Sequence, residues 1–108
     1  MMAFQLMGGD MQAQGHAQVL VNMFDLGANL QAATDMARFH HSQVANDLGL
    51  ESQLYGLVSK ELKAMGHKVT VLPGWGSLGH MQAIRIDPKT GTMMAGGDPR
   101  RTAYAMGY

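Results

Sequence analysis

The stretch from Ala13 to Leu26 limits the folds open to this chain more than any other. Ala17, Leu20, Val21 and Phe24 recur at the i, i+3, i+4, i+7 spacing of one helical face. Val19, Met23 and Leu26 widen that face to most of the circumference, leaving Gln14, Gln18, Asn22 and Asp25 as a thin polar remainder. Such a helix is expected to be covered on more than one side. Gly27 suits the left-handed residue past its end, and a second short helix is expected from Asn29, a good N-cap, to Ala37.

Strands surround these helices. Ala3 to Met7 is short and apolar and stops at Gly8-Gly9, as a strand running into a tight turn would. Arg38 to His41 reads as extended, a polar loop follows through Asn46, and Leu48 to Glu51 alternates as a short strand. A helix is expected over Gln53 to Met65, with Leu54, Leu57, Val58, Leu62 and Met65 inward, Lys60 and Lys63 outward, and Gly66 ending it. Lys68 to Leu72 alternates as a strand, broken by Pro73-Gly74-Trp75-Gly76. Met81 to Asp87 and Thr92 to Ala95 then form a hairpin around Pro88-Lys89-Thr90-Gly91, and a turn-rich tail runs from Gly96. Strands mixed with helices, without an internal repeat, indicate an α/β or α+β layered body.

Composition places that body inside something larger. At 108 residues the chain is one small domain or a piece of a bigger one. Charged residues make up 15% of it, fewer than the outside of a free-standing domain needs, and eight basic residues balance eight acidic ones. Zero net charge excludes a basic nucleic-acid surface and an acidic tail, and with exposed apolar faces it predicts self-association of the isolated chain. A hydrophobic content of 46% argues against disorder. With no cysteine there is no disulfide, no thiolate metal ligand and no cysteine nucleophile. No apolar run approaches the ~20 residues that span a bilayer, and the first residues lack the basic start and apolar run of a signal peptide. The compartment stays open.

Few residues stand out chemically. His40 and His41 would point to opposite sides of a strand, and His16, His67 and His80 are scattered, so neither a metal nor a cofactor is expected. His16 suits a structural hydrogen bond near a helix start, and His67 a solvated position just past a helix end. Asp98-Pro99-Arg100-Arg101 could clamp an anion, but a capped turn whose arginines pair locally is the favoured reading. Trp75 could anchor a pocket mouth or plug a core, and the methionines suit adaptable packing. Gly8-Gly9 is the most informative feature. Two glycines between a strand and a buried helix can leave successive N–H groups free for a substrate oxygen, or can simply make a tight turn.

Taken in order, these pieces resemble the gamma-glutamyltranspeptidase family. The residues that carry the resemblance are Gly8-Gly9-Asp10, Gln12-Ala13-Gln14-Gly15-His16, Gln18-Val19-Leu20-Val21-Asn22 and Ala37-Arg38-Phe39-His40-His41. Gly66-His67, Gln82-Ala83-Ile84, Gly97-Asp98-Pro99-Arg100-Arg101 and Gly107-Tyr108 continue it in the right order. The resemblance covers essentially the whole chain and corresponds to the C-terminal part of the family's small subunit. It implies an N-terminal nucleophile hydrolase with a four-layer αββα core, made from a precursor that cuts itself to free a threonine. That threonine attacks a γ-glutamyl amide, and the acyl-enzyme passes to water or to an amine. Gly8 and Gly9 map onto the family's oxyanion-hole glycines. Met7 and Asp10 stand where the familiar version has proline and serine, as in more divergent members.

The nucleophilic threonine and the groups that grip the glutamyl ends lie upstream in the family. Thr34, Thr70, Thr90, Thr92 and Thr102 are internal and have no free amine of their own to act as base. The resemblance therefore implies a fragment, residues 1–108, that supplies oxyanion hole and scaffold and is inactive alone. Its partners would be a γ-glutamyl substrate such as glutathione, the rest of the small subunit and the large subunit. Two rivals stay open: a non-catalytic interaction or scaffold fragment, and the same fold acting on cephalosporin side chains or poly-γ-glutamate.

Overall fold

The computed structural model describes residues 1–73 and 78–107. In chain order the elements are β1 (Met2–Met7), α1 (Met11–Phe24), α2 (Leu30–Asp35), β2 (Phe39–Ser42), β3 (Asp47–Glu51), α3 (Ser52–Ala64), β4 (Val69–Leu72), β5 (His80–Ile86) and β6 (Met93–Gly97). They form two compact units, Met1–Met36 with Gly79–Tyr108, and Ala37–Leu78. The expectations for Trp75 and its neighbouring glycines fall outside the described residues.

In the first unit β1, β5 and β6 form an antiparallel sheet in that order. Leu6 lies opposite Met81 and Phe4 opposite Ala83. Leu6, Met81 and Ala83 are buried on one face, with α1 packed against β1 and α2 against β5 and β6. β5 and β6 are joined by the expected hairpin, in which Asp87 N–H donates to Thr92 O (2.9 Å) and Gly91 N–H to Asp87 O (2.9 Å).

The buried stripe of α1 differs from the one read from hydrophobic spacing. It is Met11, Gly15, Val19 and Met23, while Val21, Phe24 and Leu26 are exposed. The reason is Gly15: a Cβ there would run into the Leu6 side chain, so the sheet's core leucine seats itself where the helix has no side chain. The faces expected to be covered on a second side are open in this chain. Asn29 does cap α2, its Oδ1 accepting from Ala32 N–H at 2.8 Å.

In the second unit β3 pairs antiparallel with β2 and parallel with β4, α3 making the crossover between the parallel strands. The β2–β3 turn passes through Asn46 at φ 48°, a left-handed conformation that asparagine tolerates well. At the end of α3, Gly66 (φ 92°) donates to Lys63 O and His67 N–H to Leu62 O, both at 3.0 Å, the pair of bonds of a Schellman cap. His67 is exposed, as its place past the helix end suggested. The inward face expected for α3 is only partly realised. Leu54, Val58 and Leu62 are half-buried, but Leu57 and Met65 are exposed, on the side of the helix turned away from β3 and β4, against which it packs.

Candidate functional site: the glycine turn between β1 and α1

β1 ends at Met7, and α1 begins four residues later. Gly8 O accepts from Met11 N–H and Gly9 O from Gln12 N–H, both at 3.0 Å, so the glycine carbonyls start the helix. The N–H groups of Gly8 and Gly9 donate to no described residue, and both glycines are exposed. Asp10 makes no side-chain cap. The first turn of a fourteen-residue helix therefore opens on two consecutive undonated N–H groups.

The two glycines are required for different reasons. A Cβ on Gly8 would lie 2.9 Å from Gly79 Cα, a backbone approach that no rotamer change relieves. Gly9 has open space on that side, but its φ of 55° is left-handed. Gly8 is therefore the packing glycine and Gly9 the turn glycine, and the open side of Gly9 leaves room for a ligand atom.

His16, one turn into α1, braces the strand that leads to this turn. Its Nε2 accepts from Leu6 N–H at 3.0 Å, and its ring meets Phe4 edge-on at a centroid distance of 5.2 Å. The structural hydrogen bond expected of His16 is present. Next to the turn, Gln5, Met7, His80 and Gln82 line a cleft of about 220 Å³ on the sheet face away from Leu6 and Met81. The sequence analysis names Met7, His80 and Gln82 on other grounds but does not bring them together with Gln5, because only the β1–β5 register puts them side by side.

Just past the end of β6, beside Met81, Asp98 Oδ1 accepts from Arg100 N–H (3.0 Å) and Arg100 Nη1 (3.1 Å), and Asp98 Oδ2 from Met81 N–H (2.9 Å). Arg100 Nη1 also donates to Thr34 O (2.9 Å) and Nη2 to Met36 O (3.0 Å), closing the C-terminal end of α2. Both side chains are fully buried, so the expected capped turn is found with Arg100 paired to Asp98, while Arg101 is exposed. In the second unit Arg38 N–H donates to Glu51 Oε2 at 2.8 Å, and Arg38 Nη1 to Leu78 O at 3.2 Å. Among the described residues no group of three or more His, Asp or Glu side chains could hold a metal ion.

A strand, an exposed glycine turn whose two N–H groups donate to no described residue, and a helix starting on that turn belong to a mixed α/β protein. The chain belongs to the gamma-glutamyltranspeptidase family, whose model matches residues 1–108. It is 37% identical over 86 residues to the glutathione hydrolase proenzyme of Pseudomonas aeruginosa, covering 77% of this chain and 15% of that protein. Among solved structures it is similar to a gamma-glutamyltranspeptidase from Pseudomonas nitroreducens complexed with L-DON. There the TM-score is 0.85 and the identity 30%, over 99% of this chain and 55% of that one. It is also similar to a cephalosporin acylase from Bacillus halodurans, with a TM-score of 0.84 and 36% identity, over 97% of this chain and 20% of that one. The mixed α/β architecture read from the sequence is thus that of gamma-glutamyltranspeptidases, which are N-terminal nucleophile hydrolases. The chain spans only a small part of the proenzyme it matches.

Proposed function

We propose that residues 1–108 are the C-terminal part of the small subunit of a gamma-glutamyltransferase- or glutathione-hydrolase-like enzyme, with Gly8 and Gly9 its oxyanion hole. The observation that carries this reading is the pair of consecutive N–H groups that donate to no described residue, at a turn whose two glycines are required on separate grounds.

The mechanism follows from where charge develops. A threonine hydroxyl, supplied by chain outside these residues, attacks the γ-carbonyl carbon and loses its proton to a base. The carbonyl π electrons move onto oxygen, where N–H donors already in place stabilise the oxyanion without reorganising. Collapse expels the amine, which takes up the proton, and leaves a glutamyl ester. Water or an acceptor amine then repeats the attack and frees the threonine. The substrate would be a γ-glutamyl amide such as glutathione, and the partners the rest of the small subunit and a large subunit.

The test is to incubate the full-length protein with a chromogenic γ-glutamyl anilide, quench with acid, and digest for mass spectrometry. Release of the aniline with a glutamyl adduct on a threonine at the start of a mature chain supports the proposal. A processed, folded protein that acylates no threonine refutes it and leaves the scaffold reading. The similarity to a cephalosporin acylase favours one second reading, the same ester chemistry on a cephalosporin side chain. A panel that pairs the anilide with an acyl cephalosporin separates the two.

A further inference from the structure

The glycine turn is anchored to α1 through a residue outside the turn. Leu6, two residues before Gly8, is gripped by consecutive residues of the helix. Its side chain fills the notch left by Gly15, where a Cβ would run into Leu6 Cδ1 and Cδ2. Its N–H donates to Nε2 of His16 at 3.0 Å. The same leucine side chain lies against Gly79, whose backbone in turn meets Gly8. Leu6 therefore touches both the helix that starts at the turn and the residue that backs it. Leu6 is buried, and all of these contacts are made within this chain.

The same helix holds the other end of the turn, Gly8 O and Gly9 O accepting from Met11 N–H and Gln12 N–H at 3.0 Å. The segment from Leu6 to His16 is thus closed on itself by hydrogen bonds at its strand end and at its helix start. A trans peptide sets its N–H opposite its C=O, so with Gly8 O turned toward Met11 the Gly9 N–H points the other way. Across the sheet, the register partner of Leu6 is Met81, whose N–H is held by Asp98 Oδ2 at 2.9 Å. Side chains therefore fix this rung of the sheet on both strands. The bond to Leu6 also dictates the state of the His16 ring. A backbone N–H can only donate, so Nε2 must present a lone pair, and the ring is neutral with its proton on Nδ1. The edge-on contact with Phe4, at 5.2 Å between centroids, keeps the ring in that pose.

We infer that His16 is a positioning residue for the proposed acyl transfer. It holds Leu6, and through Leu6 it keeps the Gly8 and Gly9 N–H groups aimed where the oxyanion develops. The inference rests on the proposed oxyanion role of that pair. Such donors act because their direction is set before the reaction, and a displacement of about 1 Å can cost about 10²-fold in rate. His16 acts on kcat through the turn, without touching substrate.

The experiment compares variants of the full-length protein on a γ-glutamyl anilide. A glutamine oxygen reaches the position of Nε2, an asparagine oxygen only that of Nδ1, and phenylalanine keeps a ring against Phe4 without an acceptor. His16→Phe and His16→Asn should lower kcat about 10- to 100-fold with KM within about twofold, and His16→Gln should keep kcat within about threefold of wild type. A role in packing alone predicts the reverse, with phenylalanine tolerated and glutamine not. Glycolic acid in place of Gly9 deletes that N–H, and His16→Phe added to it should cost far less than it does alone. In the unaltered protein, long-range proton–nitrogen NMR in mildly alkaline buffer should show His16 protonated on Nδ1 and bare on Nε2, its signals assigned by their absence in His16→Gln. This last readout needs no variant to be active. Normal kcat in a folded, processed His16→Phe protein overturns the role of His16, as does a ring protonated on Nε2 or full multiplication of the two losses. Unchanged kcat in the Gly9 replacement with His16 intact overturns the oxyanion reading itself, and the role of His16 with it.

Discussion

Replacing Asp98 by alanine removes the acceptor of at least three hydrogen bonds at once, among them those from Arg100 N–H, Arg100 Nη1 and Met81 N–H. It also strands a guanidinium whose side chain has no exposed surface. Arg100 keeps the Thr34 and Met36 carbonyls, which satisfy N–H groups but do not neutralise the charge. Breaking one side of such a pair costs about 3–5 kcal/mol. Asp98→Asn is the finer probe. The carboxylate accepts on both oxygens, Oδ1 from Arg100 and Oδ2 from Met81, so an amide in either orientation must point its NH₂ at a donor. That variant should lose about 1–3 kcal/mol. Adding Arg100→Met to Asp98→Ala should recover part of the loss, because the buried charge is then gone. Urea unfolding of the full-length protein measures the cost, and hydrogen exchange at Met81 N–H localises it. Asp98→Ala within about 1 kcal/mol of wild type, with Met81 exchange unchanged, would refute the claim that this pair ties the tail to the sheet and α2.

Three further outcomes follow from the same contacts. Gly9→Ala should fold with a loss of about 1–2 kcal/mol, the price of a left-handed residue in open space. Gly8→Ala should be more damaging, since its Cβ meets the Gly79 backbone; equal urea midpoints for the two would contradict the separate roles. His16→Ala leaves the buried Leu6 N–H without its acceptor and should cost about 1–3 kcal/mol, with faster Leu6 amide exchange as the local readout.

Much of this architecture was legible in the sequence because local chemistry decides it. Asn29 announces a helix start, Gly66 a helix end, and the Pro88 to Gly91 turn a hairpin, and each does so in the structure. The buried face of α1 was not legible. Periodicity counts apolar side chains, whereas the face is chosen by Gly15, which contributes none and takes in Leu6. Arg38, Glu51, Asp98 and Arg100 are buried against the habits of their residue types, and several of the hydrogen bonds that hold them come from partners distant in sequence. The glycine pair was visible as a motif, but its neighbouring cleft was not: nothing local places Gln5 opposite Gln82.

The proposed oxyanion hole consists of two N–H groups, and the most direct measurement removes one and changes nothing else. Proline cannot do this at position 9, because its ring holds φ near about −65° and the residue sits at 55°. An amide-to-ester replacement at Gly9, with glycolic acid in place of glycine, deletes the N–H and keeps the turn. The full-length ester protein should self-process and bind γ-glutamyl substrate with little change in KM. Its kcat should fall by roughly 10²–10³, the usual loss for one oxyanion donor. A folded, processed ester protein whose kcat stays within about twofold of wild type would contradict the assignment and reduce the glycine pair to a tight turn.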